Sequence, residues 1–272
     1  GLVKIIKIAL FVSLVASFAF SLTSYELARN VVASSAQDAK LRLLFGDKDY
    51  VDEAGNADWS EIVRVLKTNA LVNFTLPSSR SLQLHFVGKS EAVVFVKLIN
   101  EALNQAGFVY FTPIKFDAKS DTKRYVIQVD SRYILDPASF YAILKQNFVV
   151  IKNVRRLNAY DYEYQLDFAN ARLKTNAYAA INYTAKLPRP MKDYVFSVQG
   201  AKTLNARASS VDNWFPKLFF LDKNLNLLKS IMSDKKQTRV STSVPSAAVY
   251  VIIGDAYNLD NIRRGLEVEL TR

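Results

Sequence analysis

The chain has 272 residues, half of them hydrophobic and 22% charged, which supplies a sizeable core and, at about 150 residues per domain, allows one or two domains. It carries 36 Lys and Arg against 25 Asp and Glu, no cysteine and one histidine, His85. These counts exclude disulfides, thiolate zinc sites, iron–sulfur clusters, a cysteine nucleophile, a lipid-modified N-terminal cysteine and a multi-histidine metal centre.

In residues 1–22, GLVKIIKIALFVSLVASFAFSL, Lys4 and Lys7 precede an uncharged apolar run from Ile8 to Phe20. The run is shorter than the ~20 residues a membrane span needs, and it ends in Ala19-Phe20-Ser21, with small residues at the two positions a signal peptidase reads. A signal peptide over 1–21, cleaved between Ser21 and Leu22, is therefore expected, with an uncleaved N-terminal anchor as the alternative. Without Lys4 and Lys7 the mature chain keeps 34 basic and 25 acidic residues, a net charge of +9. On an exported, cysteine-free protein this charge points to the bacterial periplasm and to envelope partners, peptidoglycan among them, and away from nucleic acid.

From Leu22 to Leu44 the spacing of Leu27, Val31, Ala39 and Leu43 predicts helix. An acidic loop follows, Gly46 to Asp58. Its carboxylates do not fit a calcium loop, since Val51 stands where a ligand belongs and Asp52 where the turn needs glycine. Asp58 and Glu61 form a capping box that starts a helix with Ile62, Val65 and Leu66 inward. This N-terminal helical segment covers 22–80.

Ser81 to Val87 reads as a strand, Ser90 as the cap of a helix carrying Phe95, Ile99 and Leu103, and Gly107 as its stop. Val109 to Phe116 and Arg124 to Val129 are strands joined by a charged turn. Asp136-Pro137 opens a further helix with Phe140, Ile143 and Leu144 inward, and the strands Val149 to Arg155 and Tyr160 to Phe168 follow. The order is strand, helix, strand, strand, helix, strand, strand: a two-layer α/β sandwich, with two helices on one face of a mostly antiparallel sheet, over 81–185. In the last strand Tyr160, Tyr162 and Tyr164 alternate with Asp161, Glu163 and Gln165, so the tyrosines are expected inside and the acids in water.

Beyond Leu187-Pro188-Arg189-Pro190 short strands dominate: Tyr194 to Gln199, Leu218 to Leu221, Leu225 to Ile231, Thr238 to Ser243, Val249 to Ile253 and Gly265 to Leu270. Asp222-Lys223-Asn224 reads as a hairpin turn. A β-sandwich over 186–272 completes an α+β fold.

The helix from Asp136, the strand Val149 to Val154 and the polar-alternating strand Tyr160 to Asp167 resemble the ring-building modules of bacterial envelope machines, of the flagellar periplasmic disc and ring type. The resemblance lies in pattern over roughly Ser81 to Asn170 and implies oligomerisation or docking without catalysis. Trp214-Phe215-Pro216-Lys217-Leu218-Phe219-Phe220-Leu221-Asp222, with Val244-Pro245 and Ala248 to Ile253, is similar to the sandwich domain of the maltose-operon periplasmic protein.

No catalytic, cofactor or metal residue is nominated. Gly88-Lys89-Ser90 lacks the first glycine of a phosphate-binding loop, and no Gly-x-Ser-x-Gly elbow accompanies His85. The interaction candidates are Arg155 and Arg156, expected to meet Asp161 and Glu163 of a neighbouring copy, together with Tyr160, Tyr162 and Trp214. The expectation is a non-enzymatic periplasmic scaffold or assembly protein, acting as a homo- or hetero-oligomer with other envelope proteins in a flagellar-motor disc or ring. The alternatives are a glycan- or peptidoglycan-binding protein stacking sugars on Trp214, and a hydrolase with a dispersed carboxylate pair. Sequencing the mature N-terminus from an envelope fraction should read from Leu22; retention of Lys4 and Lys7 would establish the uncleaved anchor instead.

Overall fold

The computed structural model describes residues 21–272; the expected signal segment up to position 20 lies outside the described residues. Among the described residues five α-helices and thirteen strands build an α+β fold with three sheets. No helix among them is long and apolar enough to cross a membrane.

Thr23 caps α1 (Ser24–Val32), which ends where Ala33 turns left-handed with φ 50°. The continuous helix expected over 22–44 is thus broken. A 3-10 turn at Ser35–Gln37 separates α1 from α2 (Asp38–Phe45), at serines that weaken a helix by hydrogen bonding locally. In the loop that follows, Asp52 accepts from the amides of Ala54 and Asn56, both at 3.0 Å, and from the Tyr141 hydroxyl at 2.7 Å. Its carboxylate is a turn anchor. Asp58 caps α3 (Trp59–Thr68) through the Glu61 amide, but the expected box is half made, because Glu61 turns outward to Arg64 at 2.8 Å.

The central sheet comprises β1 (Thr75–Lys89), β2 (Thr112–Asp117), β3 (Thr122–Tyr133), β4 (Val150–Asn158) and β5 (Asp161–Asp167), in the order β2-β3-β1-β5-β4. Only β1 and β5 run parallel; the other pairs are antiparallel. The helices α4 (Ala92–Gln105) and α5 (Pro137–Lys145) cover one face. Phe86, Tyr164 and Phe140 meet there with ring centroids 5.5–5.6 Å apart, and Phe95 contacts Phe168 at 5.0 Å. The cap of α4 is Glu91, not Ser90: its carboxylate accepts from the Val93 and Val94 amides at 2.6 and 3.2 Å. A carboxylate occupies the place a phosphate would need.

The two edges of this sheet are treated differently. At β4, α1 packs against the strand with Asn30 donating to Asn153 at 3.0 Å, and the buried Trp59 indole donates to the Ile151 carbonyl at 3.0 Å. At the other edge all six residues of β2 are exposed.

The C-terminal strands are β6 (Thr184–Leu187), β7 (Tyr194–Ser197), β8 (Thr203–Ala208), β9 (Pro216–Leu221), β10 (Leu227–Met232), β11 (Arg239–Ser243), β12 (Tyr250–Asp255) and β13 (Leu266–Thr271). They form two four-stranded sheets, β10-β9-β12-β7 and β11-β8-β13-β6. Phe196, Phe220, Val251 and Ile253 of the first share one apolar cluster with Leu204, Ala206, Val268 and Leu270 of the second. The alternate residues of the first sheet, Val195, Phe219, Leu221 and Ile252, belong instead to the core of the central module. The two middle strands of that sheet, β9 and β12, are buried on both faces, which accounts for their unbroken runs Leu218 to Leu221 and Val251 to Ile253, while the edge strand β10 alternates with exposed residues. The hairpin at Asp222 forms as expected, its side chain accepting from the Asn224 and Asn226 amides. The expected division at 185/186 falls inside β6, and Ala179 already lies in the second cluster.

Gly88 shows why glycine stands at the end of β1. A Cβ there would lie 2.6 Å from the Leu166 carbonyl oxygen of the parallel neighbour β5 and 3.3 Å from the Phe95 ring. Gly88→Ala is expected to cost about 1–3 kcal/mol in urea unfolding, by forcing β1 from β5; a neutral result would show that the strands separate freely.

Candidate functional site

On the face of the central sheet opposite α4 and α5, one polar network crosses four strands. Glu163 on β5 stands in register with His85 on β1 and with Arg155 on β4. Arg124, from β3, donates through Nη2 to Glu163 Oε2 at 2.8 Å, and its Nη1 lies 3.1 Å from His85 Nδ1. Arg155 Nη1 reaches Glu163 Oε1 at 3.4 Å, and Gln165 donates to the same oxygen at 2.9 Å. An arginine only donates, so this contact is a hydrogen bond in the neutral tautomer that carries its proton on Nε2 and accepts at Nδ1.

This corrects the expectation that Glu163 meets water or a neighbouring copy. The residue is 4% exposed, because Arg124, Arg155 and Gln165 close over it. Burial raises its pKa, but the Gln165 bond and the two guanidinium groups outweigh it and hold the carboxyl below its ordinary value. Burial, reinforced by the Arg124 charge, pushes His85 down. Both oxygens of Glu163 are occupied by donors, so the network fixes two arginines on the sheet face.

The structure separates the other nominated residues. Arg156 is in register with Tyr162 and so lies on the opposite face from Arg155. Tyr162 is buried, its pKa raised by that burial, whereas Tyr160 sits in the turn before β5 and is 37% exposed beneath Arg80. Trp214 is fully buried, its indole donating to the Gly254 carbonyl at 2.9 Å. It fills the C-terminal core and offers no surface for stacking a sugar. The sequence paired Arg155 with Glu163 across copies, whereas the pair forms within one chain; Arg124 was missed as its partner, and the available signal was strand position, which places Arg124 and Glu163 on one face once β3, β1 and β5 are neighbours.

A cavity of about 460 Å³ lies between α4 and the first C-terminal sheet, lined by Val96, Phe116, Met191, Phe219 and Met232. Its carboxylates Glu101 and Asp193 are each engaged by a lysine, Lys97 and Lys217. Among the described residues no group of three or more His, Asp or Glu is placed to hold a metal ion. No protein-family model, curated protein or solved structure matches the chain.

The network predicts acid sensitivity. Both folded-state pKa values lie below their unfolded ones, so the unfolded chain takes protons that the folded chain declines. Stability should fall as pH drops below about 6.5, through His85, and again through the carboxylate range, through Glu163. In melting curves against pH, His85→Gln should flatten the upper step and Glu163→Gln the lower; unchanged profiles would show that the network contributes nothing.

Proposed function

We propose that the chain is a non-enzymatic structural or assembly component of a bacterial envelope complex, exported to the periplasm, with a flagellar-motor disc or ring as the preferred instance. Support comes from the span that resembles ring-building modules, where the order β-α-β-β-α-β-β folds on a β2-β3-β1-β5-β4 sheet. On this reading the two C-terminal sheets form a β-sandwich stacked on the module.

The observation that carries the proposal is the bare β2 edge. A sheet edge exposes unpaired amides and carbonyls, and proteins that stay apart blunt it. Here the opposite edge is covered, while β2, although Pro113, Lys115 and the register shift between them interrupt its ladder, presents the apolar side chains of Ile114 and Phe116, 45% and 42% exposed, next to Tyr110 at 91%. Edge addition by a partner strand is the corresponding mode of docking. Partners are other envelope proteins or further copies.

Affinity capture from envelope extract with the chain beginning at Leu22 should recover defined partners or a multimer. Ile114→Lys with Tyr110→Lys should cut that recovery about tenfold without lowering the melting temperature, since Tyr110 is 91% exposed and Ile114 45%, whereas Phe116 packs edge-on against the buried Tyr125. A monomer at high concentration that captures nothing would overturn the proposal.

A further inference from the structure

The outer face of the second C-terminal sheet carries an unusual row of charges. Arg239 on β11 stands opposite Arg207 on β8, Arg207 opposite Glu267 on β13, and Glu267 opposite Lys186 on β6. At about 4.8 Å per strand the row is about 14 Å long. Arg207 is paired with Glu267. Among the described residues Arg239 and Lys186 have no ion pair and no side-chain hydrogen-bond partner, and both are exposed. Like charges directly opposite on adjacent strands destabilise a sheet, so the placement of Arg239 against Arg207 works against folding and has no compensating acid on its own strand.

Recesses flank the row on both sides. One, of about 600 Å³, is lined by Lys186, Arg207, Ser209, Ser210, Thr238 and Arg264; in the other, about 220 Å³, Arg207 and Arg239 meet Thr184, Asn205 and Glu269. Arg264 is committed to Asp212 at 2.6 Å, and Glu269 is the one further acid lining either recess. Three cations against Glu267 and the neighbouring Glu269 leave this face with one net positive charge, bordered by hydroxyl and amide groups, and place both unpaired cations, Arg239 and Lys186, at its ends. The apolar residues lining the recesses, Leu187, Ala208, Leu266, Ala206 and Val268, are buried, so nothing is presented for insertion into a bilayer. No aromatic side chain lines either recess for stacking a nucleobase.

We propose that this face binds an acidic glycan. Its carboxylates would be taken by Arg239, Arg207 and Lys186, its hydroxyls by Ser209, Ser210, Thr238 and Thr184, and Glu267 holds the Arg207 guanidinium in place along the row. Guanidinium groups suit planar carboxylates, which accept two parallel hydrogen bonds from one arginine. The site is distinct from the β2 edge and requires neither export nor assembly, so its failure leaves the scaffold reading untouched.

The test is titration of the chain from Leu22 with a fluorescently labelled oligogalacturonate, with neutral dextran, vesicles of phosphatidylcholine containing phosphatidylglycerol, and a single-stranded oligonucleotide as comparison probes. Oligogalacturonate should bind, dextran should not, and affinity should fall as salt rises. Arg239→Glu and Lys186→Gln should each weaken binding about tenfold or more. Arg239→Glu should at the same time raise the melting temperature by about 1–3 °C, because a like-charge pair becomes an opposite one; a surface residue of purely structural value would not combine a gain in stability with a loss of binding. No binding at low salt, affinity unaffected by both substitutions, or preference for the vesicles or the oligonucleotide would overturn the proposal.

Discussion

Everything in the central module hangs on the pairing of β1 with β5. It is the one parallel contact in an otherwise antiparallel sheet. A parallel pair cannot be closed by a tight turn, so the chain between the two strands must leave and return, and here it supplies α4, the β2–β3 hairpin, α5 and β4 on the way. β1 becomes the axis: it runs fifteen residues, takes β3 on one side and β5 on the other, and at Gly88 approaches β5 too closely for any side chain. The positions of α4 and α5 and of both sheet edges follow from that choice.

The two edges that result are opposites. One is closed by a tryptophan donating to a main-chain carbonyl and by a helix lying alongside; the other carries exposed Ile114 and Phe116. A buried indole hydrogen bond contributes about 1 kcal/mol net, but losing it exposes a strand that the rest of the module depends on for its end. The Glu163 network holds the same strands from the polar face. A carboxylate buried without partners is costly, so its guanidinium contacts fix β3, β5 and β4 in a single register.

Much of this arrangement was legible in the residues. The alternation in Leu82, Leu84 and Phe86 and in Tyr162, Tyr164 and Leu166 marks strands with one buried face, and Asp136-Pro137 marks a helix start; all appear where periodicity places them. What escaped depends on neighbours far away in the chain. Strands β6 and β8, Thr184–Leu187 and Thr203–Ala208, are short and rich in small and polar residues, and they are strands because β13 lies between them. Glu163 looks solvated until Arg124, 39 residues earlier, is folded over it. Trp214 looks like a binding platform in the sequence because aromatic residues surround it, and only packing shows it in the C-terminal core with Phe220 while Phe219 turns to the central module. Ser90 and Glu91 are both acceptable caps, and local geometry chose the second.

The sheet β10-β9-β12-β7 gives one side to the C-terminal core and the other to the central module. Its central strands therefore act as a shared wall, with Leu221 and, from the neighbouring β7, Val195 turned into the central core while Phe219 and Ile252 also line the cavity beneath α4. A change of side-chain volume in β9 or β12 is felt in two cores at once, with Phe220 and Val251 packed on one side and Leu221 and Ile252 on the other, so these strands tolerate it less than a strand with one wet face.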